Sequence, residues 1–172
     1  MRRLACLALL LAGCAGPRVE DYAAAQPIFD PAQFFLGKTQ AWGMFQDRQG
    51  RLAKRFSVEM DGRLQDGELV LDERFLYADG SRQRRVWRLR HGSDRLWHCL
   101  AGDVAGEARG AAAGNALHWR YQLRLPVDGN EYLVDMDDWM FLIDKRSMLN
   151  RASMSKLGLG LGEVTLFFRK PE

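Results

Sequence analysis

Three ionisable residues, Glu73, Arg85 and Asp138, stand where the surrounding alternation calls for apolar side chains. A charge withdrawn from water is costly unless it is paired, so each needs a reason. Glu73 and Arg85 are spaced to form a cross-strand ion pair with bidentate geometry, and Asp138 to accept a hydrogen bond from the Trp119 indole. In a cavity such a cluster would orient the polar head group of a ligand. A carboxyl whose pKa is raised there can also serve as a general acid or base. Other residues offer less. Asp135 and Asp137 share a strand face, as metal-binding carboxylates do, but two exposed carboxylates without further ligands read as a solvated face. His91, His98 and His118 lack zinc-site spacing, so no metal and no cofactor is expected. Cys99 follows His98, but strand neighbours point to opposite faces, which makes Cys99 a buried structural cysteine rather than half of a dyad. The Gly- and Ala-rich stretch 102–114 lacks the strand-then-helix setting of a dinucleotide loop and reads as thin, flexible strands where a portal could open.

These residues meet only if paired strands carry them. From Gln40 to Arg169 apolar and polar residues alternate with period two, broken by turn signals at Arg48-Gln49-Gly50, Asp66-Gly67, Asp79-Gly80, His91-Gly92-Ser93, Asp128-Gly129 and Lys145-Arg146-Ser147. The pattern predicts about ten strands, near 40–47, 52–64, 68–77, 82–90, 94–100, 102–110, 116–126, 131–143, 148–154 and 162–169. Short connections force neighbours antiparallel, and an open sheet of this size would leave edges. The expected fold is therefore all-β: a single antiparallel up-and-down β-barrel of about eight to ten strands. Asp30-Pro31 ahead of Phe34, Phe35 and Leu36 predicts one helical turn, N-capped by Asp30 and closed by Gly37, that plugs the barrel end.

Turn length sets register, and a slip of one residue would turn every side chain to the wrong face. A two-residue Asp66-Gly67 turn sets Met60 opposite Glu73, Val58 opposite Phe75 and Phe56 opposite Tyr77. A three-residue Ala78-Asp79-Gly80 loop sets Glu73 opposite Arg85 and Leu71 opposite Trp87. A two-residue Asp128-Gly129 turn sets Tyr121 opposite Met136, Trp119 opposite Asp138 and Leu117 opposite Met140. The expected chamber is lined by Trp42, Phe56, Met60, Phe75, Trp87, Trp119, Tyr121, Met136 and Met140, with Glu73, Arg85 and Asp138 as its polar contacts. Eight strands just fill their interior with side chains, and ten leave room for a ligand.

At the N-terminus, Arg2 and Arg3 precede an apolar run from Leu4 to Ala12, then Gly13 and Cys14. Nine apolar residues are too few to span a bilayer. The segment resembles the signal peptide and lipobox of bacterial lipoproteins, which implies cleavage after residue 13, acylation of Cys14, and permanent attachment through several acyl chains. Ala15 rather than Asp after that cysteine implies the outer membrane. The expected divisions are residues 1–13 as signal peptide, 14–27 as lipidated cysteine and tether, and 28–172 as barrel. Removal of residues 1–13 leaves 159 of 172 residues, enough for one domain with its own core, and 23 basic against 22 acidic side chains. That near-neutral balance excludes a nucleic-acid partner, which needs clustered Lys and Arg. The densest run, Arg82, Arg84, Arg85, Arg88 and Arg90, alternates along a strand and reads mainly as a solvated face. Cys99 is left as the lone thiol, so no intramolecular disulfide forms.

Several short stretches resemble domain-of-unknown-function family 3833, a family of proteobacterial lipoproteins. They include Ala41-Trp42-Gly43, Arg84-Arg85-Val86-Trp87-Arg88, Asp103-Val104-Ala105-Gly106, Asp137-Asp138-Trp139-Met140, Asn150-Arg151 and Thr165-Leu166-Phe167-Phe168-Arg169. The resemblance spans the mature domain and implies no activity. Members are often encoded near cyclopropane-type fatty-acid-modifying enzymes, which implies a lipid. The start is also similar to a lipocalin opening: a helical turn, Gly37 and Trp42, with Arg169 in the part of the late basic residue that packs on the Trp. The Gly-to-Trp spacing departs from that pattern.

The expected function is a lipoprotein on the periplasmic face of the outer membrane, held by acylated Cys14, that binds a lipid or other apolar small molecule in a barrel cavity. One alternative is a solid scaffold that recruits a protein partner through Trp139 and Phe141. The other is a small lipid-modifying enzyme with Glu73 or Asp138 as general base.

Overall fold

A computed structural model describes residues 16–172. The expected signal segment, the expected acylation site Cys14 and Ala15 lie outside the described residues. Ten strands follow a short helix, α1 (Pro31–Phe35): β1 (Gly37–Asp47), β2 (Leu52–Gln65), β3 (Glu68–Tyr77), β4 (Arg82–His91), β5 (Trp97–Leu100), β6 (Val104–Ala113), β7 (Ala116–Val127), β8 (Asn130–Leu142), β9 (Ser147–Lys156) and β10 (Leu159–Arg169). Each pairs antiparallel with its sequence neighbours, and β1 pairs with β10, so the sheet closes into a barrel without edges.

The three registers derived from turn chemistry hold residue for residue: Met60 faces Glu73, Glu73 faces Arg85, and Trp119 faces Asp138. Asp66 and Asp128 take the left-handed conformation that a two-residue hairpin turn requires, at φ 53° and 50°. Between β1 and β2 no tight turn of defined length sets the register. Ala53 of β2 is an extra residue opposite the Phe45/Gln46 step, and beyond this bulge Trp42 pairs with Ser57 and points outward. Trp42 is 49 % exposed and stacks on Phe167 outside the barrel, which corrects its placement in the chamber. The expected strand at 94–100 shrinks to the four residues of β5, because Asp94 turns back to accept from the Leu96 amide and Arg95 adopts φ 65°.

One end of the barrel is stoppered. The Asp30 side chain accepts from the amides of Ala32 and Gln33, and Pro31 occupies the first helical position, as their order predicts. Phe34 and Phe35 are driven into the barrel floor, Phe35 packing edge-on against Phe168. β2 passes so close that a Cβ on Gly62 would sit 1.9 Å from the Phe35 carbonyl oxygen. The late basic residue that secures this end is Lys170, not Arg169. Its Nζ donates to the carbonyls of Phe34 and Leu36, each at 2.7 Å, and pins the helix C-terminus to the end of β10.

The expected tether is not loose where it is described. Residues Val19–Tyr22 form a 3-10 turn against the outside of the barrel, Val19 is buried, and Tyr22 packs edge-on to Trp139 and Phe141. Those two aromatic residues, read from the alternation as exposed partner contacts, are covered by this segment. Outside β3 to β10 run cross-strand ion pairs such as Arg84 with Asp72, Arg88 with Glu68, Arg120 with Asp137 and Arg151 with Glu163. A surface so charged is not the apolar band of a membrane-spanning barrel. No helix among the described residues is long and apolar enough to cross a membrane.

Candidate ligand cavity

The barrel is hollow above its plug. A cavity of about 680 Å³ runs from Phe35 and Phe168 at the floor to Lys54, Tyr77 and the β7–β8 turn at Pro126–Asp128. Of the residues expected to line it, Phe56, Met60, Glu73, Phe75, Arg85, Trp87, Trp119, Tyr121, Met136, Asp138 and Met140 all do. Period-two alternation brings them together because paired residues share a face all the way round a closed sheet. On the mouth side the walls are apolar, with Phe45, Phe56, Phe75, Leu123, Leu125 and Met154; Trp87 and Trp119 stack 5.7 Å apart across β4 and β7.

A polar belt crosses this chamber at mid-depth, differently wired from the expectation. Arg85 and Glu73 are opposite in register but 4.0 Å apart, too far for a bidentate pair. The Arg85 guanidinium instead forks onto Asp103, with Nε at 2.9 Å and Nη2 at 2.6 Å from Oδ2. Its plane lies over Phe75 at 5.5 Å. The Trp119 indole N–H lies near the Asp138 carboxylate and favours its charged form, but falls outside full hydrogen-bond geometry. Asp138 accepts from the Asn150 amide and, at 3.4 Å, from the Tyr121 hydroxyl.

Burial governs the protonation of this belt. It pushes Glu73 up to about 7 despite Arg85, and Asp138 up to about 6 despite its donors. Burial works against the charge of Arg85 as well, but Glu73 and Asp103 outweigh it and keep the guanidinium protonated. Burial and then the Asp138 charge hold the Tyr121 phenol well above its ordinary value. The belt thus offers one fixed cation and carboxyls that change state near neutral pH.

Asp103 and Asn150 were missed by alternation. Asp103 sits in the connection between β5 and β6, in the Gly-rich stretch where no register can be counted, and Asn150 reads as ordinary strand polarity. Both fall within stretches that carried the family resemblance, which was the one available signal. The remaining candidates lie outside the cavity. Cys99 points into the core, where burial pushes its thiol up to about 12, while His98 faces away between Glu107 and Asp94 at 2.9 and 3.0 Å. Asp137 holds His118 and Arg120 at 3.0 and 2.7 Å, and Asp135 accepts from Gln122. Among the described residues no group of three or more His, Cys, Asp or Glu side chains could hold a metal ion.

A family model described as protein of unknown function (DUF3833) matches residues 8–170. No curated protein matches the chain. Among solved structures, the S-type phycobiliprotein lyase CPES from Guillardia theta superposes with a TM-score of 0.63 at 8 % identity, covering 91 % of this chain and 99 % of the lyase. A protein of unknown function from the DUF3598 family of Nostoc punctiforme gives 0.62 at 12 % identity, over 86 % of this chain and 51 % of that one. At these identities the likeness is one of fold.

Proposed function

The chain belongs to the DUF3833 family, and because that family brings no activity with it, we propose from the cavity itself that this barrel binds a lipid or other hydrophobic small molecule. The observation that carries the reading is the division of a cavity of about 680 Å³, with apolar walls toward the mouth and a buried polar belt at mid-depth. Small-molecule sites typically measure about 300–1,000 Å³, with apolar walls and a few polar groups that fix orientation. The apolar part of the ligand fills the space between Phe56, Phe75, Tyr121 and Met136, and its polar end meets Glu73, Arg85 and Asp138. A barrel built only for stability would fill this space with side chains, as smaller barrels do. The shared fold with a phycobiliprotein lyase supports a barrel architecture compatible with this use, and no residue role is taken from it.

The test is native mass spectrometry on residues 16–172, which hold the whole closed barrel, exported to the periplasm and purified without detergent. A co-purifying apolar species lost in a Val164→Trp variant, which fills the chamber, is the expected result. A bare mass together with no uptake of a fluorescent fatty acid overturns the reading.

Location is the second half of the proposal: Cys14, five residues before Val19, where the turn packed on the barrel begins, is acylated and holds the barrel on the periplasmic face of the outer membrane. Labelled palmitate enters the full-length protein and not a Cys14→Ser variant. Label that persists in the variant refutes the anchor.

A further inference from the structure

The hairpin between β9 and β10 breaks a rule that the other two-residue turns obey. Its left-handed positions are Leu157 and Gly158, at φ 51° and 78°. The corresponding turns carry Asp66-Gly67 and Asp128-Gly129, residues suited to that conformation. Leucine has no side-chain hydrogen bond to offset the left-handed strain. Nor is it rewarded by packing, since Leu157 is 90 % exposed and its neighbour Leu159 73 %. Strain of this kind, with no return in the isolated molecule, points to a partner that gives one.

The position of the hairpin narrows what the partner is. β10 pairs with β1, so this tip stands beside the β1–β2 connection at the mouth of the cavity. There Leu52 is 54 % exposed, and at the β7–β8 turn Val127 is 41 % exposed. These aliphatic side chains rise from separate tips around an opening and do not form a flat patch. Residues 48–55, Arg-Gln-Gly-Arg-Leu-Ala-Lys-Arg, bring four cations and no acid to the same rim, and Lys156 adds another beside Leu157. Asp47 engages one of them, Arg51, at 2.8 Å.

We propose that the mouth of the barrel docks on the surface of a bilayer containing anionic phospholipid, with Leu157 and Leu159 inserted below the head groups and Arg48 and Arg55 on the phosphates. Aliphatic points flanked by cations on the β1–β2 and β9–β10 side, with Asp79 and Asp128 across the rim, suit a medium that deforms around them and carries negative charge on that side. Docking in this orientation turns the cavity opening toward the acyl chains. The inference goes beyond the ligand reading and does not depend on Cys14, because the elements that make it belong to the barrel.

Residues 16–172, lacking the acylation site, are sedimented with vesicles of 7:3 phosphatidylcholine and phosphatidylglycerol and with vesicles of phosphatidylcholine alone. Binding is expected to the first, to weaken with salt, and to fall about tenfold or more on Leu157→Asn with Leu159→Ser, from loss of buried aliphatic area. Leu157→Asn alone should raise the melting temperature while weakening binding, because it relieves the turn, so a loss of binding cannot be assigned to misfolding. Arg48→Glu with Arg55→Glu should abolish the preference for the anionic vesicle. Absence of vesicle binding, binding unchanged by the leucine substitutions, or a concentration-dependent dimer dispersed by them overturns the proposal. None of these outcomes bears on whether the cavity is filled.

Discussion

Replacing Glu73 by Gln should stabilise the barrel at high pH and leave it nearly unchanged at low pH. Glu73 is buried at mid-barrel, and burial raises its pKa from 4.5 to about 7 in the folded state. Between those values the folded protein holds a proton that the unfolded chain releases. The stability linked to this group is fully present below pH 4.5 and is lost as pH rises through about 7. A displacement from 4.5 to about 7, at about 1.4 kcal/mol per unit, corresponds to roughly 3 kcal/mol. Gln copies the shape of the neutral carboxyl and does not ionise, and Arg85 keeps its fork on Asp103. The variant and the parent should therefore have similar unfolding free energies near pH 4.5, and the variant should be ahead by roughly 3 kcal/mol near pH 8. Urea unfolding monitored by tryptophan fluorescence, at half-unit steps of pH, measures the difference. Carboxylates outside the belt cancel, since Asp72 and Glu107, held low by their Arg and His partners, titrate alike in both proteins. Asp138, whose charge acts on Glu73, is removed from the comparison by making it in an Asp138→Asn background. A difference that stays flat from pH 4.5 to 8, or that favours the parent at high pH, refutes the burial of a carboxyl in this cavity.

Two further perturbations separate the parts of the molecule. Lys170→Ala removes both hydrogen bonds to the Phe34 and Leu36 carbonyls. It should cost about 1–3 kcal/mol, with faster hydrogen exchange in residues 31–36 and unchanged exchange in β7 and β8; uniform destabilisation would mean that the plug is not a separate latch. Trp42→Ala, on the outer face, should leave ligand capacity as in the parent, whereas Trp119→Ala enlarges the cavity and exposes the belt; equal losses in native mass spectrometry would place Trp42 inside after all.

The interior was legible wherever a short turn lies between the residues concerned. Asp66-Gly67, Ala78-Asp79-Gly80 and Asp128-Gly129 admit few geometries, and each transmits its register along two strands with period two. That is why Glu73 opposite Arg85, and Trp119 opposite Asp138, could be read from residue order. Trp42 was misplaced because no tight turn counts the register between β1 and β2, where the bulge at Ala53 has no composition of its own. Asp103 was missed for a related reason: β5 is only four residues long, and the connection after it approaches Arg85 from outside any countable ladder.

By itself the sequence determined the alternation, the strand count, the capped turn at Asp30-Pro31 and which residues face one another across each tight hairpin. Those are local matters, settled by backbone sterics over a few residues. Only the tertiary structure decided what happens when the sheet closes: that Arg85 turns from its register partner to Asp103, that Lys170 reaches Phe34 across 136 residues, that residues 19–22 cover Trp139, and that the interior stays open. Each of these depends on which of several distant groups reaches a shared space first with the better geometry. A polar side chain buried by closure takes the best partner within reach, and reach is set by the closed barrel rather than by residue order.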